Sequence, residues 1–572
     1  MFFVNVMASD MQDPFADPVP LAGNNASAAD STLTVGRNAS LTLGTDTLIV
    51  LDEGLLEQRR INCCGLLPPK SKSTRSIPFY NILWADLTKV DLTIHYARPP
   101  SPGAISINVA YINYSLDLSS SAGSLQAAEW VVKLLDRAYG ASQRQKRIKV
   151  LINPYGGTGK AGKYYTRDIE PVFAAARCEL DVERTAYSGH AAEIAEKLDL
   201  EAYDVLACAS GDGLPHECFN GFSRRADAQE ALKKIAIVQL PCGSGNAMSW
   251  NLNGTGNASM GALAIVKGLR TPLDLASFTQ GEKRTLSFLS TAIGIVAETD
   301  LGTENIRWMG PMRFTYGVLV RLLGKTLYPC DIAVKTVIET KAEIMAHYAD
   351  EVTKGRQAEE TSKDLMEGSK SSPPTSTGLS PLRYGTPSSP VPSDWQSVSY
   401  DNLGNFYLGN MTIMTEGAPF FPAALPSDGL MDLVTIDGDI SRFKAIGLVL
   451  AVEKGAFFEQ ESVRFRKIEA VRVTPKFGRW ADRSTKASAS RLGKALRAVG
   501  IFGGEGAAKD QRDGGYIAVD GEKLPFEPFQ IEVHRGLGST LSKSGYMYES
   551  PGPTGWEAFQ KGTAVSRDAM SA

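Results

Sequence analysis

Three glycine-rich loops, each directly behind a short apolar run, constrain this chain more than any other feature. They are Asn153-Pro-Tyr-Gly-Gly-Thr-Gly-Lys160 after KVLI, Ser210-Gly-Asp-Gly213 after VLACA, and Pro241-Cys-Gly-Ser-Gly-Asn246 after IAIVQL. Apolar runs of this length read as buried strands, and helical patterns separate them (GHAAEIAEKLD, PHECFNGFSRR, NASMGALAIVKGL). That alternation predicts an α/β domain over 146–270 with a doubly wound parallel sheet. Such sheets bind ligands outside the carboxyl ends of their strands, where all three loops fall. Bare glycine backbone lets N–H groups approach phosphate oxygens there.

Taken singly, the loops are ambiguous. Gly157, Gly159 and Gly162 spell GxGxxG, and Glu183 lies near the offset of a ribose-binding acid. Gly157 to Lys163 nearly spells a P-loop, but Tyr164 stands where the Mg²⁺-ligating Ser or Thr belongs. Asp212, between Gly211 and Gly213, suits a proton acceptor or a metal partner, and also a plain Asp-Gly turn. Ser244 and Asn246 suit a nucleotide phosphate or ribose. A dinucleotide-binding oxidoreductase needs only the first loop, so the combination carries the weight.

The remaining chain sets the context. A net charge of -3 gives no polybasic signature, so nucleic acid is not an expected partner. Seven scattered cysteines without CxxC pairs point to a reducing compartment. The start, MFFVNVMASDMQDPFADP, does not read as a signal peptide, and no apolar run reaches membrane-span length. Cys63-Cys64 reads as a palmitoylation site or as two ordinary loop thiols. Residues 1–30 read as disordered. Over 31–142, short strand patterns lead into SLQAAEWVVKLLDRAYG, with Ala127, Val131, Leu134 and Leu135 on one helical face. Strands closed by one helix suggest a β-rich domain resembling pleckstrin-homology domains. After Thr271 strand patterns return over 271–338 and 400–541, with LSFLSTAIGIVAETD as a long strand and turn. The segment 339–399 reads as a disordered insert with Ser-Pro sites at Ser372, Ser380 and Ser389 that suit phosphoregulation. Residues 477–514 read as a flexible insert and 542–572 as an irregular tail.

NPYGGTGK, SGDGLPHECFNG and PCGSGNAM resemble the catalytic motifs shared by sphingosine, ceramide and diacylglycerol kinases. TAYSGHA, PLDL, AIGIVAETDLGTE, MGPMRFTYG, AVEKGAFF and AVDGE narrow the resemblance to sphingosine kinases. LTVGRNASLTL and PFYNILWADL are most similar to fungal and plant long-chain-base kinases. The resemblance spans about Arg147 to Gly538. It implies a nucleotide-binding α/β domain, a β-sandwich-like lipid-binding domain, and a site in the cleft between them. Asn153, Gly156, Gly157, Thr158 and Thr185 would contact ATP, joined by Gly211 and Gly213. Gly243 and Ser244 would approach its phosphates, which Arg307 and Arg313 would neutralise. Asp212 would be the general base. Asp520 and Glu522 would return to the nucleotide, directly or through Mg²⁺. Asp300 would bind the ammonium of a sphingoid base, with Ser290 and Glu304 as further contacts. FTYGVLVRLLGKTLY would gate the acyl tunnel and touch membrane.

The resemblance also implies a cytoplasmic enzyme with peripheral membrane association and a homodimer as one assembly. Ceramide or diacylglycerol kinase activity and an inactive lipid-binding scaffold remain the alternatives. Pro215 and Glu298 depart from the family pattern without removing a group the chemistry requires. His190 and His216 read as structural or weakly nucleotide-contacting.

Overall fold

The computed structural model describes residues 31–36, 38–52, 74–116, 121–157, 159–294, 327–364, 378–476 and 516–560. The chain divides into two compact units. The first holds residues 1–146, 166–179 and 257–267, and the second holds 147–165, 180–256 and 268–572.

In the first unit, β1 (Thr32–Val35), β2 (Ala39–Leu43), β3 (Thr47–Asp52) and β4 (Thr74–Pro78) form one antiparallel sheet. A second holds β5 (Ile82–Leu87), β6 (Asp91–Arg98) and β7 (Asn108–Ser115). Alternation along these strands buries Leu33, Val35, Leu41, Leu48, Val50, Leu92 and Ile94. Helix α1 (Ser121–Tyr139) follows and buries Ala127, Trp130, Val131, Leu134 and Leu135, the face expected from spacing with Trp130 added.

The helix Ala258–Lys267, which in sequence closes the expected 146–270 domain, packs with this unit. Its last residue explains why. The buried Lys267 ammonium donates to the carbonyls of Ile82 and Ala138 and lies 3.7 Å from the Tyr139 ring centroid. Burial, reinforced by the charges of Lys146 and Arg144, holds its pKa well below the ordinary lysine range. Lys146 Nζ similarly donates to Ser142 Oγ and to the Gln143 and Val266 carbonyls.

The second unit begins with the parallel sheet, β8 (Arg147–Ile152), β9 (Glu179–Arg184), β10 (Val205–Ser210) and β11 (Ala236–Pro241), in the order β11-β10-β8-β9. β10 and β11 are buried along their whole length, as strands covered on both faces must be. The chain leaves β8 for β9 on one side and crosses to β10 on the other, so β8 and β10 flank a topological switch point. Helix α2 (Gly213–Ser223) follows β10, and α3 (Ala247–Asn253) follows β11.

The rest of the unit centres on an 11-stranded sheet. Its members are β12 (Leu269–Gln280), β13 (Lys283–Ser287), β14 (Ser290–Gly294), β15 (Cys330–Ile338), β16 (Gln396–Tyr400) and β17 (Leu403–Gly409), with further strands after a small hairpin of β18 (Ile413–Thr415) and β19 (Ala418–Pro419). They are β20 (Met431–Asp437), β21 (Arg464–Pro475), β22 (Tyr516–Val519), β23 (Glu522–Pro525) and β24 (Phe529–Ser542). The expected long strand in LSFLSTAIG is two strands, broken at Phe288-Leu289.

The reading of 339–399 as a disordered insert is corrected here. The segment 339–399 is not a structureless insert where it is described. Helix α4 (Lys341–Asp364) buries Ile344, Tyr348 and Val352, and 378–400 lies along the sheet and ends in β16. Its proline-rich stretch lacks periodicity because hydrogen bonds to its backbone hold it, with Leu379, Tyr384 and Trp395 as isolated apolar anchors. The Arg472 guanidinium donates to the Thr386 and Ser389 carbonyls, Gln530 to those of Tyr384 and Gly385, and Glu532 accepts from the N–H groups of Arg383 and Tyr384. The tail is irregular yet built into the core through 560. Tyr548 is buried and donates to the Asn410 carbonyl, while Trp556 packs edge-on against Tyr348 at 5.1 Å. The 1–30 segment, the 477–514 insert, Cys63, Cys64 and Ser372 lie outside the described residues.

Candidate active site

The three glycine loops converge. A Cβ on Gly243 would come within 2.3 Å of the Gly211 backbone, and one on Gly211 within 2.8 Å of the Gly245 carbonyl. Gly157, with φ +59°, would place a Cβ 3.0 Å from the Gly243 and Ser244 backbone. Three chain segments can approach this closely only where no side chain intervenes, which accounts for glycine at all three positions.

Side-chain amides shape the loops. Asn153 Oδ1 accepts from the N–H groups of Tyr155 and Gly156 at 2.9 and 3.0 Å, an Asx turn that folds the first loop. Asn246 grips the Gly243 peptide from both ends, accepting from its N–H and donating to its carbonyl, each at 3.1 Å. Ser244 is left exposed at the tip. Thr185 is buried at the end of β9, its N–H bonded to the Ile152 carbonyl. Glu183 is paired with Lys149 at 2.8 Å, so the acid that fitted a ribose-binding offset serves a surface ion pair.

Asp212 sits between the second and third loops. Its Oδ1 accepts from Met248 N–H at 3.0 Å and from Gln239 Nε2 at 3.1 Å, and its Oδ2 accepts from Ala247 N–H at 3.0 Å. The two backbone donors open α3, so the carboxylate caps that helix from a neighbouring loop. An ionised carboxylate offers about four acceptor positions, so roughly one stays open. Burial raises the Asp212 pKa, opposed by these three hydrogen bonds, with the Asp520 charge adding to the rise. A half-buried carboxylate with raised basicity and an open acceptor position is suited to taking a proton from an alcohol. Gln239 could have been found in advance as the polar residue inside an otherwise apolar strand; it is 1% exposed and its Oε1 accepts from Ser249 N–H at 2.8 Å.

Asp520, expected to return to the nucleotide, is engaged by its own fold. With φ +51° it turns inward, where Oδ1 accepts from Ser287 Oγ and the N–H groups of Leu289 and Ser290, and Oδ2 from Phe288 N–H at 3.0 Å. His216 Nδ1 lies 2.9 Å from Oδ2. Five partners saturate the carboxylate, and this is what breaks the strand between β13 and β14. Burial pulls the His216 pKa down, but the adjacent Asp520 carboxylate outweighs it and the net shift is upward. His216 is therefore structural. Asn220, one turn along α2, completes the joint by donating to the Leu286 carbonyl and accepting from Leu286 N–H. Ser290 is thus fixed by backbone bonds in both directions to Asp520, and α2, whose first turn carries Gly213, is tied to the same turn. Glu522 is exposed on β23. Thr158, Asp300, Glu304, Arg307, Arg313 and all but the last residues of FTYGVLVRLLGKTLY lie outside the described residues.

Comparison with known proteins agrees with this geometry. Residues 147–278 match the diacylglycerol kinase catalytic domain, and residues 31–140 match a domain of unknown function (DUF7493). The chain is 35% identical to sphingoid long chain base kinase 5 of Saccharomyces cerevisiae, over 79% of this chain and 67% of that protein. It is 33% identical to sphingoid long chain base kinase 4 of Schizosaccharomyces pombe, covering 82% and 88%. It is 30% identical to human sphingosine kinase 1, covering 69% and 90%. With its glycine loops meeting around Asp212 at the switch point of the sheet, the chain belongs to the sphingoid long-chain-base kinase family.

Proposed function

We propose that the protein transfers the γ-phosphoryl group of ATP to the primary hydroxyl of a sphingoid long-chain base, giving the base 1-phosphate. The observation that carries this reading is the meeting of Gly157, Gly211 and Gly243 beside Asp212. Backbone amides of Gly156, Gly157, Gly243 and Ser244 cradle the phosphates, with Asn153, Thr158, Thr185, Gly211 and Gly213 completing the nucleotide site. The open acceptor position of Asp212 takes the hydroxyl proton as the substrate oxygen attacks the γ-phosphorus in line and the bond to the β-γ bridging oxygen breaks, releasing ADP. Arg307 and Arg313 neutralise the phosphate charge, and Glu522 approaches the nucleotide from β23.

Mg²⁺ arrives on the ATP phosphates as part of the substrate. Asp300 pairs with the substrate ammonium, aided by Glu304 and Ser290. A charge-assisted hydrogen bond of this kind is worth about 1.5–3 kcal/mol and is denied to a neutral lipid.

The β-rich 31–142 segment acts as a pleckstrin-homology-like module, and the antiparallel sheet forms the β-sandwich-like lipid domain. The enzyme works in the cytoplasm with peripheral membrane association and assembles as a homodimer. No helix among the described residues is long and apolar enough to cross a membrane. The test is phosphotransfer from ATP to sphingosine, phytosphingosine, ceramide and diacylglycerol in parallel. Turnover of the free bases alone is expected; preference for a neutral lipid overturns the assignment of Asp300, and no turnover favours the scaffold.

A further inference from the structure

The donors around Asp212 do not treat its two oxygens alike. Oδ1 accepts from Met248 N–H at 3.0 Å and from Gln239 Nε2 at 3.1 Å, which fills both of its acceptor positions. Among the described residues, Oδ2 accepts from Ala247 N–H alone, at 3.0 Å. The open position is therefore on Oδ2. Gly245 leaves that oxygen uncovered, because a Cβ there would lie 3.2 Å from Oδ2. Any side chain in place of Gly245 would rest against it.

Gln239 creates the difference between the two oxygens. The backbone donors alone are symmetric, one to each oxygen, and a half-turn of the carboxylate would exchange them without loss. The Gln239 amide removes that symmetry, and its own orientation is set from behind. Ser249 N–H can only donate, so the Gln239 oxygen faces it, at 2.8 Å, and Nε2 faces Asp212. Ser249 is fixed in turn, its Oγ donating to the Thr255 carbonyl at 2.8 Å and accepting from Asn253 Nδ2 at 3.3 Å. Gln239 lies opposite Cys208 on β11, a strand buried from end to end. A clip joining β11 to α3 needs only the Oε1 bond to Ser249. The buried Nε2 group goes further and serves a carboxylate that α3 already holds through two N–H groups.

We propose that Gln239 is a positioning residue for phosphoryl transfer, closing Oδ1 of Asp212 so that Oδ2 alone receives the substrate hydroxyl proton. The assignment rests on the reading of Asp212 as general base, with the proton passing to Oδ2 as the hydroxyl oxygen bonds to the γ-phosphorus and ADP leaves.

The test compares the full chain with Gln239→Met, Ser249→Ala and Asp212→Asn. Gln239→Met keeps the length of the side chain and removes both amide bonds, whereas Ser249→Ala loosens the same helix without touching Asp212. Turnover of sphingosine with ATP is followed from about pH 5 to 9. Carbon-13 NMR of chain labelled at aspartate follows the Asp212 carboxyl, its signal identified by its absence from Asp212→Asn. In Gln239→Met, kcat should fall about tenfold, with the KM for ATP and for sphingosine within about twofold of the parent. The acid limb of kcat/KM and the Asp212 titration should both move up by about one pH unit, because the ionised form has lost a donor. The charge of Asp520 acts on Asp212 in parent and variant alike, so it does not enter the difference. Both Gln239→Met and Ser249→Ala should lower the melting temperature, and Gln239→Met alone should move the pH profile. An unmoved titration in Gln239→Met, with turnover lost in Asp212→Asn, overturns the proposal and spares the general base. A raised KM for ATP at unchanged kcat also overturns it, making Gln239 a strut of the third glycine loop. Retained turnover in Asp212→Asn overturns the general-base reading and the proposal together.

Discussion

The parallel sheet and the large antiparallel sheet of the second unit both hold carboxylates by hydrogen bonds, and they use them differently. Beside the parallel sheet, Asp212 is held by three donors and keeps an acceptor position open. In the antiparallel half the buried carboxylates tie loops and strands of the sheet together. Asp520 has five partners, and Asp274 accepts from the N–H groups of Gly429 and Gly536 at 2.6 Å each. Asp428 and Asp432 share the buried Lys467 ammonium at 3.0 and 3.2 Å. Asp212 keeps an acceptor position open beside the glycine loops, where a substrate can reach it, whereas Asp520 is closed by its five partners, and the open Oδ1 of Asp432 is buried within the sheet's core.

Four experiments break or sharpen that contrast. Asp212→Asn should lower kcat by about 10²- to 10⁴-fold, the usual range for a lost general base, with a melting temperature close to that of the parent. A loss seen mainly in stability would place Asp212 with the closed group. Lys467→Met should do the reverse. Two buried carboxylates would lose their cation, costing about 3–5 kcal/mol in urea denaturation. Asp520→Asn should also act on stability, by about 1.5–3 kcal/mol, since the amide cannot accept from every donor now facing the carboxylate. Were it instead to raise the KM for ATP at unchanged stability, Asp520 would be a nucleotide ligand after all.

The smallest effects concern pH. Burial, helped by the charge of Asp428, pushes the Asp274 carboxyl up to about 7. The folded chain therefore holds that proton more tightly than the unfolded chain does. Asp274's contribution to stability is greatest at low pH and should decline as pH rises from about 4 toward 7. Asp274→Asn should flatten that part of the stability-pH curve. For activity the raised pKa of Asp212 has the same origin, so the acid limb of kcat/KM should lie above the ordinary carboxylate range.

The contrast also separates what the sequence discloses from what it conceals. Gly157, Gly211 and Gly243 mark their function locally, because a backbone that must pass within 3 Å of another tolerates only one residue type. The strands around them are legible for a similar reason, since continuous apolar runs have few alternatives. The partners of Asp520 are not legible in this way. Ser287 lies 233 residues away in the chain and His216 lies 304 away, and a DGE tripeptide looks the same whether its aspartate faces a ligand or a turn. The docked 378–400 segment was hidden by the same kind of long-range pairing. Its anchors, Arg472, Gln530 and Glu532, sit on strands that read as ordinary sheet.

The Lys267 ammonium has a consequence for the order of synthesis. Its acceptors, the Ile82 and Ala138 carbonyls, and the Tyr139 ring it faces are all translated more than a hundred residues before it. When the helix Ala258–Lys267 leaves the ribosome, the cradle for its terminal charge has already been made, and the helix has only to dock. Chains grow from the amino terminus and domains fold in that order. The amino-terminal domain thus serves the nascent kinase as a built-in template, and a chain begun at Arg147 would leave that ammonium without the carbonyls and ring that receive it.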